Sequence, residues 1–185
     1  MMDFSVLPLH KHPEYLQDCC ELINSEWKRS HTARMQSLQG SCDQLPVSLI
    51  LLKGEALVGH LKLCPIPSIK SGCFVQSVVV NRADRGKGFG SVLMQRAEVY
   101  CKDKLNLSVI YLSTQGQEEF YRKLGYSECS PISIYGSFST PPIENGPNSM
   151  GRTKGSRPDV APTPPPMPIN STKLASSKTY MKKNI

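Results

Sequence analysis

Residues 75–90 read VQSVVVNRADRGKGFG. The β-branched run Val78, Val79 and Val80 predicts a strand, which ends in a polar turn and then in Arg85-Gly86-Lys87-Gly88-Phe89-Gly90. From there apolar residues recur at helical spacing, Phe89, Leu93, Ala97 and Tyr100, and predict a helix running to about Lys104. A glycine turn that opens a helix lets several backbone N–H groups converge on one spot with no Cβ in the way, and the helix dipole adds positive potential there. The ligand suited to such a turn is a phosphate.

The spacing within the turn separates the families that use one. A Walker loop needs Ser or Thr after the lysine, and Lys87 is followed by Gly88; a dinucleotide fingerprint needs a third glycine that is missing. The pattern present is R-x-x-G-x-G, supplied by Arg85, Gly88 and Gly90. It resembles the pyrophosphate-binding motif of the GCN5-related N-acetyltransferases (GNAT), which cradle the diphosphate of acetyl-coenzyme A.

Composition narrows the class further. The 185 residues suit one domain of ordinary size with a tail. The net charge of +7 divides unevenly: residues 1–136 carry 15 basic and 13 acidic side chains, residues 137–185 carry 7 and 2. The folded part is therefore only +2, too little for a nucleic-acid footprint. Seven scattered cysteines, none spaced C-x-x-C, predict reduced thiols with neither a disulfide framework nor a metal site. The first residues hold no apolar leader and no stretch approaches 18 apolar residues, so a cytosolic protein without a membrane span is expected.

Taken in order, residues 4–9 predict a first strand. From Pro13, the positions Tyr15, Leu16, Cys19, Leu22, Ile23 and Trp27 make the apolar face of an amphipathic helix. A polar, basic segment over residues 28–38 follows, closed by Gly40. Residues 45–52 and 56–63 predict an antiparallel hairpin about Lys53-Gly54-Glu55, and residues 72–80 the central strand. Residues 107–112 read as a strand parallel to it, because a long helical crossover separates the two. A second helix over 115–124 ends at Gly125, and residues 126–135 read as strand. Nine of the fifteen prolines then fall in residues 137–176, a composition that cannot build a core and predicts a disordered proline-rich loop. Residues 178–185 alternate and can form a terminal strand.

This order resembles the GNAT fold: an α/β domain of residues 1–136 plus 177–185, with a mixed central sheet of about seven strands, flanking helices and a proline-rich insertion before the last strand. A second motif supports it, since Phe120-Tyr121-Arg122-Lys123-Leu124-Gly125-Tyr126 resembles the family's F/L-Y-x-K-x-G-F/Y. The resemblance implies acetyl-coenzyme A as co-substrate, its pantetheine hydrogen-bonded along the backbone of Val78, Val79 and Val80. Its pyrophosphate falls to the N–H groups of Arg85, Gly86, Lys87, Gly88, Phe89 and Gly90. Tyr121 matches the tyrosine near the thioester sulfur and is the candidate general acid, since an O–H donor stabilises a departing thiolate. Thr114 and Gln117 stand where many members have Asn and Ala; Gln117 can still contact the cofactor. His60 is available as a base, but none is assigned.

A narrower resemblance, over residues 24–38, the glycine motif, the proline-rich insertion and the last strand, is to the NatH-type branch that acetylates the acidic N-terminus of mature actin. It implies an acceptor wall built from Arg29, Arg34, Met35, Gln36 and Ser37, where Lys28, Arg29 and Arg34 supply cations for Asp or Glu and Ser37 a hydroxyl. It also implies profilin as a partner reached through residues 137–176, although only one run of three prolines is present. Two other readings stay open: a member of the fold that acetylates lysine side chains or a small amine, and a non-catalytic proline-rich adaptor.

Overall fold

The computed structural model describes residues 4–135 and 178–185. The proline-rich stretch of residues 137–176 lies outside them. Among the described residues seven strands form one mixed sheet in the order β1-β2-β3-β4-β5-β7-β6. They are β1 (Phe4–Pro8), β2 (Val47–Lys53), β3 (Ala56–Ile66), β4 (Ile69–Val80), β5 (Val109–Thr114), β6 (Ser127–Glu128) and β7 (Thr179–Asn184). Among the described residues β4–β5 is the one parallel pair; the other neighbours run antiparallel.

Strand periodicity places the core on both faces. In β2 every residue from Val47 to Leu52 is buried, with Val47, Leu49 and Leu51 on one face and Ile50 and Leu52 on the other. Helix α3 (Phe89–Asp103) covers the first face through Phe89, Leu93, Met94, Ala97 and Cys101, joined by Tyr121 of α4 (Glu118–Lys123). Helices α1 (Leu16–Glu26) and α2 (His31–Gln39) cover the second through Cys19, Cys20, Ile23 and Leu38. Truncating a side chain as enclosed as Leu93, 0 % exposed, costs about 2–5 kcal/mol.

Several boundaries differ from the sequence expectation, each for a local reason. The first helix opens with a 3-10 turn over Pro13–Tyr15 before α1 begins. The basic segment is helical after all: Ser30 caps it by accepting from the Ala33 N–H, and packing of Leu38 compensates for its weak amphipathicity. Residues 126–135 form strand only at Ser127–Glu128, because β6 has β7 alone to pair with. The last strand inserts between β5 and β6, with Met181 fully buried. Among the described residues no helix is long and apolar enough to cross a membrane.

Candidate active site

The site begins where two strands part. Strands β4 and β5 pair only from Gly72 to Val75 with Val109 to Leu112, while β3 stays on the other edge of β4 as far as Val80. The edge of β4 from Gln76 to Val80 is thus left without a strand partner among the described residues. A bulge turns this stretch: His60 pairs with Val79 and Lys62 with Gln76, so that Ser77 and Val78 both lie opposite Leu61, and Ser77 takes a φ of +52°. The Nδ1–H of His60 donates to the Ser77 carbonyl at 3.1 Å and holds the bulge in place.

Beyond the bulge lies a cavity of about 520 Å³. Its floor is Val78, Val79 and Val80; its rim is Arg85, Gly86, Gly88, Phe89, Gly90 and Ser91, the glycine turn and the first residues of α3. Gly86 and Gly88 have φ of +76° and +85°, which only glycine adopts without strain, and open space lies where a Cβ would project. Unpaired strand edge, bare backbone turn and helix N-terminus share one cavity, and backbone N–H groups at a helix N-terminus suit a phosphate. Two residues of α1's end complete it, Glu26 and Trp27. The Glu26 carboxylate accepts from Arg85 Nη2 at 2.5 Å and from Arg82 Nε at 3.1 Å, and these two guanidiniums hold its carboxyl below the usual range. Lys87 points elsewhere, its Nζ donating to the Ala83 carbonyl and Asp84.

A second cavity, of about 600 Å³, opens between the parted strands and shares Trp27, Val78, Gln117 and Tyr121 with the first. Gln117 stands at the N-cap of α4, and Tyr121 one helical turn on. The tyrosine ring is 8 % exposed and packed edge-on against Phe120 and Tyr126. Burial pushes its hydroxyl up to about 12, so it is a neutral O–H donor throughout the physiological range. No cysteine or aspartate lines this second cavity, and no glutamate; Lys178 is its one charged lining residue among those described.

The profile of the acetyltransferase (GNAT) family matches residues 16–126, from α1 to the end of the second motif. The chain belongs to the GNAT acetyltransferase family. It is 30 % identical over 86 % of its length to N-alpha-acetyltransferase 80 of Mus musculus, and spans 59 % of that relative's length. The GNAT fold recurs in an aminoglycoside 6'-N-acetyltransferase complexed with coenzyme A, at 15 % identity and a TM-score of 0.65 over 99 % of this chain and 97 % of that one. It recurs also in a spermidine N-acetyltransferase from Vibrio cholerae, in complex with coenzyme A and spermine, at 16 % identity and a TM-score of 0.61 over 98 % and 95 %.

Within this GNAT chain none of the residues expected to bind substrate lines either cavity: Arg34, Met35, Gln36 and Ser37 lie on α2 and Arg29 just before it. Arg29 and Gln36 are exposed, and Met35 packs against the core beneath α1. Ser37 accepts from Lys62 Nζ, through its hydroxyl at 2.8 Å and its carbonyl at 3.1 Å. Arg34 donates through Nε to Asn24 and through Nη2 to the Trp27 carbonyl. His60 is buried, with burial holding its pKa down near 4, and its Nε2 meets no partner among the described residues; it stays neutral and structural. Glu26, Trp27 and Lys178 line the cavities without figuring among the expected site residues. The one available signal for Trp27 was its place as the last apolar residue of the α1 face, where the chain turns extended at φ −130° and lifts the ring out of the helix.

Proposed function

We propose that this chain is an Nα-acetyltransferase that moves acetyl from acetyl-coenzyme A to free N-termini beginning with acidic residues, mature actin being the acceptor. The coenzyme supplies the acetyl group as a thioester. Val78, Val79 and Val80 would offer backbone hydrogen bonds to its pantetheine, and the N–H groups at the start of α3 would face its diphosphate. Gln117 and Tyr121, shared by both cavities, stand at the point of transfer. There the acceptor amine must arrive neutral, a new C–N bond replaces the C–S bond, the Tyr121 O–H donates to the sulfur as it gains charge, and the proton that the nitrogen gives up balances the one that leaves on coenzyme A as its thiol. Holding both reactants in adjoining cavities supplies much of the rate by proximity. No cysteine lines either cavity among the described residues, which fits direct transfer without an acyl-enzyme.

The observation that carries the choice of acceptor is the charge of the second cavity. Aminoglycosides and polyamines are polycations, and a site for them needs carboxylates; this one offers amides, hydroxyls and Lys178. An acidic peptide meets no like charge there and finds a cation. The relative named above supports N-terminal over side-chain acetylation. Profilin binding through residues 137–176 extends the reading to a segment outside the described residues.

The test is coenzyme A release with three peptides: one starting Asp-Asp-Asp, one with neutral residues there, and one with a blocked N-terminus and a free lysine. Turnover confined to the first supports the proposal. Turnover of the lysine peptide alone, or of a small amine in place of any peptide, overturns it.

A further inference from the structure

A third cavity, of about 500 Å³, adjoins the second and shares no lining residue with the first. The two share Phe74, Gln76, Ser113 and Lys178, so they form one channel with Lys178 at the join. The residues that line the far cavity and not the nearer one are mostly apolar or aromatic: Tyr180 of β7 and, from the segment after β6, Pro131, Ile132, Ile134 and Tyr135, together with Ser133; Phe74 of β4 lines both. The Phe74 and Tyr180 rings stand 6.5 Å apart, tilted by 60°. Tyr135 is 83 % exposed, a large aromatic left at the rim with most of its surface in water. No carboxylate lines the channel among the described residues.

From this we propose that the far cavity is an acceptor subsite for a large apolar side chain at about the fourth residue of the substrate polypeptide. Lys178 sits between it and the transfer point as the cation that reads the acidic residues before it. The inference rests on the acidic Nα-acceptor proposed above. Its register comes from β4: Phe74 precedes Val78 by four residues, which the bulge at Ser77 brings somewhat under the ~13 Å of a fully extended strand. An acceptor with its amine at Tyr121 and Gln117 therefore spans about four extended residues before reaching Phe74 and Tyr180. The first side chains pass Gln76 and Lys178; the next large one enters the far cavity, where covering the aromatic and isoleucine surface is favourable. A small amine ends inside the nearer cavity and leaves the far one unused.

The experiment is a peptide series with the intact chain. All members start Asp-Asp-Asp; the fourth residue is leucine or serine, and a third peptide carries the leucine at position seven. Leucine at the fourth position should raise kcat/KM at least about tenfold over serine, chiefly through KM, and lose the gain at the seventh. In Ile132→Asp the leucine-to-serine ratio should fall to near one. In Lys178→Met that ratio should persist while the preference for Asp over Asn at positions two and three drops roughly three- to tenfold. Equal turnover of all three acidic peptides by the unmodified chain overturns the subsite and leaves the proposed function standing. Turnover of none of them, with a lysine peptide accepted, overturns both.

Discussion

Arg34 Nη2 donates to the carbonyl oxygen of Trp27 at 2.7 Å, and its Nε donates to Asn24 Oδ1 at 3.0 Å. The guanidinium thus ties α2 to the end of α1, at Trp27, which lines both cavities. Arg34→Ala should cost about 1.5–3 kcal/mol of stability, the range for hydrogen bonds to a charged group, and lower turnover of the Asp-Asp-Asp peptide in step with that loss. Arg34→Lys should recover little, since an ammonium cannot span the two acceptors as the planar fork does. Denaturant titration alongside the peptide panel checks this. A variant of unchanged stability that has lost only its preference for acidic peptides would instead put Arg34 in contact with substrate.

Tyr121 carries a second expectation, about pH. Its hydroxyl is pushed up to about 12 by burial, so the donating O–H form persists well above neutral pH. The rise of kcat/KM between pH 7 and 9 should therefore report the acceptor's α-amine, which titrates near 8, with no tyrosine limb below about pH 11. Tyr121→Phe should lower kcat by about 10²-fold or more while coenzyme A affinity, measured by calorimetry, changes little. The same pH profile, displaced downward, is the expected signature. Loss of coenzyme affinity with kcat retained would make the tyrosine a packing residue of the cofactor cavity.

The legible parts of this site are those encoded by neighbouring residues. The valine run, the glycines at positions 86, 88 and 90 and the Phe120-Tyr121 pair each declare a local conformation, and they converge because a crossover helix and a parallel strand must follow such a turn. The pairing of Glu26 with Arg85 spans 59 residues, and Lys178 reaches the channel only once β7 has inserted beside β5; no local pattern marks either. Charge near a helix end likewise gave the identity of Arg34 without its direction. A guanidinium facing a substrate and one bonded to a backbone carbonyl look alike in sequence.

His60 makes stability depend on pH in a stated direction. Its burial holds the folded-state pKa near 4, below the usual 6.5, so the unfolded chain binds the proton more readily between those values. The stability this residue contributes is fully present above about pH 6.5 and is lost as pH falls toward 4. Between pH 7 and 5 the loss attributable to it is about 2 kcal/mol. Urea titrations at the two pH values should show a smaller difference in His60→Gln, where the carboxamide does not titrate. An unchanged difference would assign the acid sensitivity to carboxylates.

Gly88 and Gly90 lie two residues apart in the same motif and should fail in different ways. At Gly88 an added Cβ meets nothing within 4 Å, but φ is +85°, so Gly88→Ala pays in backbone strain, about 1–2 kcal/mol. That should lower Tm by a few degrees, roughly 2–4 °C per kcal/mol for a chain of this size. At Gly90 the backbone is helical and the obstacle is a neighbour: the Cβ would stand 3.3 Å from Phe120 Cζ. Phe120 lines the first cavity and packs edge-on against Tyr121, with ring centroids 4.9 Å apart, so a displaced Phe120 moves the Tyr121 hydroxyl with it. Gly90→Ala should thus raise the KM for acetyl-coenzyme A and lower kcat several-fold, with Tm nearly kept. A misplacement of well under an ångström suffices when catalysis depends on orientation. Measuring Tm and steady-state kinetics on both variants separates the two mechanisms. A Gly90→Ala protein with full activity and a lowered Tm would show that Phe120 yields without carrying Tyr121 along.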